Sequence, residues 1–336
     1  MYIIFAILAF SLLIIVHELG HFVMAKVNGI KVEEFAIGMG PKIFSIRGKE
    51  TKYSIGILPI GGYVKMLGEE EDVEDDRSFS SKSPLRRISV ILAGAIMNFL
   101  LALVIFTVIL SKNGYPIPEV GVVQDNSPAY ESGLQTGDKF LSINGGKVFS
   151  ADDVLVGISM SKGEPVDIVF ERNEEVKEVT ITPRLNEKNT YVIGFAFGVE
   201  KNPTFIQGVK QSFKQTTTLI NQTFKGLKMI FTGEANLKTD VGGPVTIIKM
   251  SGEAAKGGFW NLMYFTAFIS VNLAVFNLLP FPALDGGWAV ILLIELITRK
   301  KVPDKIVATV NYIGIMALFG LMILVTVKDI LFPIKF

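Results

Sequence analysis

Four long apolar runs dominate the pattern of this chain. Residues 2–25 are interrupted only by His17, Glu18 and His21, and residues 88–110, 259–284 and 306–327 carry no charge. About 20 apolar residues cross a bilayer. The pattern predicts a polytopic α-helical membrane protein with spans at 1–27, 88–111, 259–284 and 306–331. Between the spans the pattern changes. Residues 28–87 are mixed, and 52–66 (KYSIGILPIGGYVKM) is β-branched and aromatic with turn residues Pro59, Gly61 and Gly62, which predicts a membrane-associated β-hairpin. The acidic run from Gly68 to Asp76 reads as a solvated loop. Residues 115–200 alternate apolar and polar positions between Gly and Asp turns, the signature of an inserted α+β domain. In the juxtamembrane stretch 201–258, Ile206, Val209, Phe213, Ile220, Phe224, Leu227 and Phe231 recur at helical spacing among lysines, which predicts an amphipathic helix lying on a membrane surface. Residues 285–305 connect the last two spans.

Composition agrees with the spans: 49% hydrophobic residues, 19% charged and a mean hydropathy of +0.44. A net charge of +1 argues against a nucleic-acid partner. The absence of cysteine excludes disulfides and thiolate metal ligands. The first span lacks a basic leader region and an A-x-A site, so it does not read as a signal peptide. Eleven Lys and Arg lie between Lys26 and Arg87, and the loop before the fourth span carries Arg299, Lys300, Lys301 and Lys305. The positive-inside rule places both loops in the cytosol, with the two ends of the chain and residues 111–258 outside.

The chemistry concentrates at His17-Glu18-Leu19-Gly20-His21. This HExxH holds the only two histidines of the 336 residues. On a helix, positions i and i+4 share a face, so both imidazoles can reach one metal ion. Glu18 is displaced by one position, beside the metal, where it can take a proton from an activated water. Zinc suits the donors, keeps an open position in catalytic sites and brings the pKa of water to about 7. The 16 residues before His17 rise about 24 Å at about 1.5 Å each. The site therefore lies inside the bilayer, towards the cytosolic side. The alternative, histidines merely packed in a core helix, has to carry three ionisable groups in an apolar helix at considerable cost.

Catalytic zinc commonly takes three protein ligands. No third histidine exists, so the third ligand is an acid. Asp285 stands in Asn277-Leu-Leu-Pro280-Phe-Pro282-Ala-Leu-Asp285-Gly-Gly, where two prolines break the third span at the depth expected for His17. Glu295, ten residues on, is the rival. In the second span Asn98 either bonds a neighbouring helix or holds substrate.

Two resemblances bear on these residues. Gly121 to Ala129, Gly133-Leu134, Gly137-Asp138 and Leu141 to Gly145 resemble a bacterial PDZ domain, which implies capture of an extended peptide or a C-terminus by strand addition. HExxH in the first span, GGYVKM after it and N-x-x-P-x-P-x-L-D-G late in the chain resemble the site-2 protease family of intramembrane zinc metalloproteases. Phe79 to Leu103 and Val241 to Ile247 are similar to family segments, and the resemblance covers nearly the whole chain. It implies zinc bound by His17, His21 and Asp285, Glu18 as general base, and a re-entrant β-loop at 52–66 touching substrate. Candidate substrate contacts are Asn277, Asn98, Ile55, Ile57, Gly61, Gly62, Pro280 and Pro282. Two departures stand out: Ala95 where proline is usual, and Trp288 after LDGG where His or Arg is common.

The expected function is an intramembrane zinc endoprotease of a bacterial cytoplasmic membrane. Its active site faces the cytosol and its PDZ domain lies outside. Its partners are single-span membrane-protein substrates, such as anti-sigma factors or remnant signal peptides, and the lipid bilayer. Two other readings are a catalytically inactive PDZ adaptor, which survives Glu18→Gln, and a metal transporter, which predicts metal flux.

Overall fold

The computed structural model describes residues 2–69, 73–187 and 189–333; residues 70–72 of the acidic run lie outside them. In chain order the elements are α1 (Tyr2–Val27), β1 (Val32–Arg47), β2 (Lys52–Met66), α2 (Pro84–Asn113), β3 (Tyr115–Val123), α3 (Pro128–Glu131), β4 (Lys139–Ile143), β5 (Gly146–Lys147), α4 (Ala151–Met160), β6 (Val166–Arg172), β7 (Glu175–Ile181), β8 (Arg184–Leu185), β9 (Tyr191–Val192), β10 (Phe195–Glu200), α5 (Phe205–Thr232), α6 (Pro244–Lys256), α7 (Phe259–Asn277), α8 (Asp285–Thr298) and α9 (Asp304–Leu331). Among the described residues, four helices are long and apolar enough to cross a membrane: Phe5–Val27 within α1, then α2, α7 and α9. The chain divides into two units, one of residues 1–102 and 226–336, the other of residues 103–225.

In the first unit, α1 and α2 meet where Gly20 has no side chain. A Cβ there would lie 2.4 Å from the Ala93 carbonyl oxygen. Small residues let apolar helices approach in this way. β1 and β2 form an antiparallel pair that is wider than a hairpin. Glu34 to Ile37 is the middle run. It pairs with Gly62 to Lys65 on one side and with Lys52 to Ile55 on the other, and Phe44 to Arg47 adds a fourth run beyond Lys52 to Ile55. The two halves of 52–66 therefore do not pair with each other, as the expected hairpin required. The bends fall at Gly38, Gly40 and Gly61, all at positive φ, a backbone open to glycine without strain. The apolar outer positions Ile43, Phe44, Ile46, Ile57 and Leu58 stay exposed. Each inner run has hydrogen-bonding neighbours on both sides. Glu34 stitches the sheet together. Burial alone would raise its carboxyl. Hydrogen bonds from the Ser54 and Tyr63 hydroxyls, with Lys52 and Lys42 nearby, outweigh this and hold it below the usual carboxylate range.

The stretch 278–284 breaks the helical run between α7 and α8. Several of its N–H groups bond locally: Leu279 N–H donates to Phe276, Phe281 N–H to Leu279, and Leu284 N–H to Phe281. It folds over Gly286 and Gly287, where a Cβ would lie 2.2 Å from the carbonyl oxygens of Leu279 and Phe281 respectively. Ala283, at φ 71, donates its N–H to the Asn311 Oδ1 at 3.3 Å.

In the second unit the strands run β10-β3-β4-β6-β7, with β5 paired to β4. The core is Val120, Leu134, Phe140, Ile143, Val154, Ile158, Val166, Ile168 and Ile181. The turn at Gly137-Asp138 has a structural purpose. The Asp138 carboxylate is fully buried and accepts two hydrogen bonds from Arg172 at 2.6 Å and one from the Gln135 N–H at 2.8 Å. α5 joins this unit through its polar face. Gln215 donates to Asp152, Thr218 to Asp153 and Thr107 to Ser212. Its apolar positions Phe205, Ile206, Phe213 and Phe224 remain exposed.

Candidate active site

α1 carries His17, Glu18 and His21 on consecutive turns, and the first turn of α8 supplies Asp285. The histidine Nε2 atoms lie 3.1 Å apart. Asp285 Oδ2 is 3.2 Å from His17 Nε2 and 3.7 Å from His21 Nε2. Ligands at about 2.0–2.1 Å from a tetrahedral zinc stand about 3.3 Å from one another. The three atoms thus already have the spacing of a zinc site.

Hydrogen bonding points the same way. His21 Nδ1 is 2.9 Å from the Val90 carbonyl oxygen. A carbonyl only accepts, so Nδ1 carries the proton and Nε2 presents a lone pair. That lone pair faces His17 Nε2 and Asp285 Oδ2. The latter is buried and has no hydrogen-bond donor among the described residues. Lone pairs converging in a largely buried site call for a cation. The donor set, two imidazoles and a carboxylate, fits zinc.

Glu18 is half-buried and lies outside the three-ligand cluster. The Val64 backbone N–H faces its carboxylate, so the sheet borders the base. Gly62 makes this approach possible, because a Cβ there would be 3.3 Å from Glu18 Cγ and 2.9 Å from the Ala36 carbonyl oxygen. The run Tyr63 to Gly68 borders a cleft of about 960 Å³, faced by Trp288, Asp304, Val307 and Asn311. Trp288, the departure noted after LDGG, lines this cleft and packs on the cluster of Ala25, Ile30 and Leu292.

Other expected site residues fall differently. Glu295 is not a ligand: its Oε2 pairs with Arg87 at 2.7 Å and its Oε1 accepts from the Val302 N–H at 3.1 Å. Asn98 is fully buried, with its amide nitrogen 3.3 Å from His17 Nδ1. Ile55 pairs on both sides, with Ile37 and Phe44, so its backbone is not an open edge. Ile57, Gly61 and Gly62 lie on the sheet, with Gly62 alone of these against Glu18. Asn277 ends α7, half-buried. Pro280 is exposed, and Pro282 packs against Gly314. The Val64 N–H and the Val90 carbonyl were not foreseeable, because backbone groups leave no mark in side-chain patterns.

Proteins of known sequence resemble the chain along nearly its whole length. A candidate zinc metalloprotease of Clostridium perfringens is 56% identical over 334 residues, spanning 99% of this chain and 100% of the relative. A second, from Clostridium acetobutylicum, is 49% identical, spanning 99% and 98%. Zinc metalloprotease RasP of Geobacillus kaustophilus is 31% identical, spanning 96% of each chain. Among solved structures, the PDZ domain of the SdrC-like protein of Listeria monocytogenes is 24% identical. It covers 26% of this chain and 87% of that one at a TM-score of 0.22, a likeness too slight to bear on the fold. The model of peptidase family M50 matches residues 5–321, and with relatives similar from end to end the chain belongs to that family, the site-2 proteases.

Proposed function

We propose that this multi-pass membrane protein hydrolyses peptide bonds in or near the transmembrane segments of single-span membrane proteins, at a site opening to the cytosol of a bacterial cell. Membership of the family makes it an intramembrane zinc metalloprotease. The observation that carries the site assignment is the meeting of His17, His21 and Asp285 at ligand spacing beside Glu18, with the histidines on a helix apolar enough to span a bilayer.

Zinc held by these three residues supplies Lewis acidity, easing loss of a proton from water and polarising a peptide carbonyl. The protein does the rest. Glu18, faced by the Val64 N–H, takes the proton as water adds to the carbonyl carbon. It then returns that proton to the amine as the C–N bond breaks. Asn277 makes no hydrogen bond to a described residue, and its amide is free to donate to the substrate carbonyl as charge develops there. A helical substrate must first exchange its own hydrogen bonds for others. The edge formed by Gly62 to Met66 borders both Glu18 and the cleft, and offers strand pairing. It takes the place of Ile55 and Ile57 as the pairing edge. Pro280 and Pro282 shape the broken backbone that leads into Asp285.

The unit of residues 103–225 serves, in this reading, as a PDZ-like filter outside the cell that admits only trimmed substrates. The exposed apolar stripe of α5, margined by Lys210 and Lys214, seats it on lipid. Anti-sigma factors and remnant signal peptides are substrates of the right architecture. An HExxH with its third ligand in reach leaves nothing degenerate in the site, which counts against an inactive adaptor.

Full-length protein in detergent with a single-span substrate tests this. Cleavage is expected, lost to a tight zinc chelator and restored by added Zn2+. Cleavage indifferent to the chelator would overturn it. The sheet's approach to Glu18 has its own test. Val64→Pro removes the N–H that faces Glu18. The rate is expected to fall at least about tenfold with bound zinc unchanged, and an unaltered rate rules out a role for that N–H.

A further inference from the structure

We infer that Asn98 is a positioning residue for the metal centre: its side-chain oxygen accepts the Nδ1 proton of His17 and so holds Nε2 of that ring towards the metal. The inference rests on the zinc reading of the site and assigns a group outside the ligands themselves.

The geometry comes from one stripe of α2. Val90, Gly94 and Asn98 recur at every fourth position, which places them on one helix face. Each meets the histidine pair. The Val90 carbonyl takes His21 Nδ1 at 2.9 Å. At Gly94 a Cβ would lie 2.5 Å from His21 Nε2 and 2.7 Å from His17 Nε2. The Asn98 amide lies 3.3 Å from His17 Nδ1. Both rings therefore lie on this stripe, with Nε2 turned to Asp285.

Protonation then decides which way the Asn98 amide points. If His17 gives its Nε2 lone pair to a metal, Nδ1 must carry the hydrogen and needs an acceptor. The NH2 group faces Nδ1 as drawn, while Asn98 Oδ1 is buried without a partner. Oxygen and nitrogen of an amide are interchangeable by a half-turn, and hydrogen bonding assigns them. The half-turn gives His17 its acceptor and the orphaned oxygen its donor in one step. The opposite assignment leaves Nδ1 as acceptor and puts the hydrogen on Nε2, which then cannot ligate. Asn98 is also fixed in place: it is fully buried, and Ser270 of α7 donates its hydroxyl to the Asn98 backbone carbonyl at 2.8 Å. The two histidines thus differ. His21 leans on a backbone carbonyl that no mutation removes. His17 leans on a side chain.

Zinc affinity of the purified full-length protein, measured by competition with a chelating dye, tests the idea without reference to cleavage. Asn98→Leu keeps the volume and removes the acceptor. It is expected to weaken zinc binding about 10- to 100-fold. Asn98→Asp can only accept, and is expected to bind zinc as tightly as the wild type or more so. Melting of the metal-free proteins shows whether each variant folds. If Asn98→Leu does not fold, Asn98→Ala, which removes the acceptor without adding an apolar branch, takes its place with the same expected loss. Wild-type affinity in a folded Asn98→Leu, or weak binding in Asn98→Asp, overturns the inference. A wild type that binds no zinc overturns instead the reading of the site on which it rests.

Discussion

Glu18→Gln is expected to abolish cleavage while leaving the zinc in place. The amide has the size and shape of the carboxylate, so the side chain can stay beside Gly62 where the carboxylate was. It cannot take a proton from water. General-base catalysis is worth about 10²- to 10⁴-fold, and kcat should fall by that factor. Glu18 is not among the three ligands, so zinc per protein should match the wild type. The two readouts together discriminate. Loss of both would mean that Glu18 supports the metal, and cleavage within about tenfold of wild type would remove it as the base.

Gly94→Ala should be nearly as damaging although Gly94 is neither ligand nor base. In an ordinary helix this change helps, by about 1 kcal/mol. Here the added Cβ would sit 2.5 Å from His21 Nε2, 2.6 Å from His17 Cε1 and 2.7 Å from His17 Nε2. Neither ring can retreat easily. His21 is tied to Val90 and His17 to Asn98, and α1 cannot slide away without opening its contact at Gly20 and Ala93. Displacement of a reacting group by about 1 Å costs about 100-fold. Zinc content and cleavage should fall together on that scale, with the metal-free protein melting no lower than wild type. Full zinc and full activity in Gly94→Ala would show that α2 does not back the site.

These effects separate what was legible in the chain from what was not. HExxH spacing is a one-helix property, so His17, Glu18 and His21 could be read directly. Asp285 could be read because two prolines and two glycines mark a break inside an apolar run. Glu295 looked similar in type, and only its pairing with Arg87, 208 positions away, removes it. Asn98 was visible as a polar group in an apolar span, but whether it faced substrate or protein depends on the rotation of α2 against α1. The same holds for β2. Its composition announced strands, yet pairing depends on the middle run Glu34 to Ile37, which captures Lys52 to Ile55 and Gly62 to Lys65 on opposite sides. Ile55 became interior and Gly62 to Met66 became an edge.

By itself the sequence determined everything that depends on neighbours along the chain: the apolar runs, the metal-binding helix face, the broken helix before Asp285 and the alternation of residues 115–200. Local periodicity encodes these, because helix and strand repeats act over a few residues. Only the tertiary structure decided which donor completes His17, which backbone N–H faces Glu18, why position 94 is glycine and which edge adjoins the site. Those are contacts between segments tens to hundreds of residues apart. Their registers are chosen by packing and by the need of each buried polar group for a partner, and no local pattern records that choice.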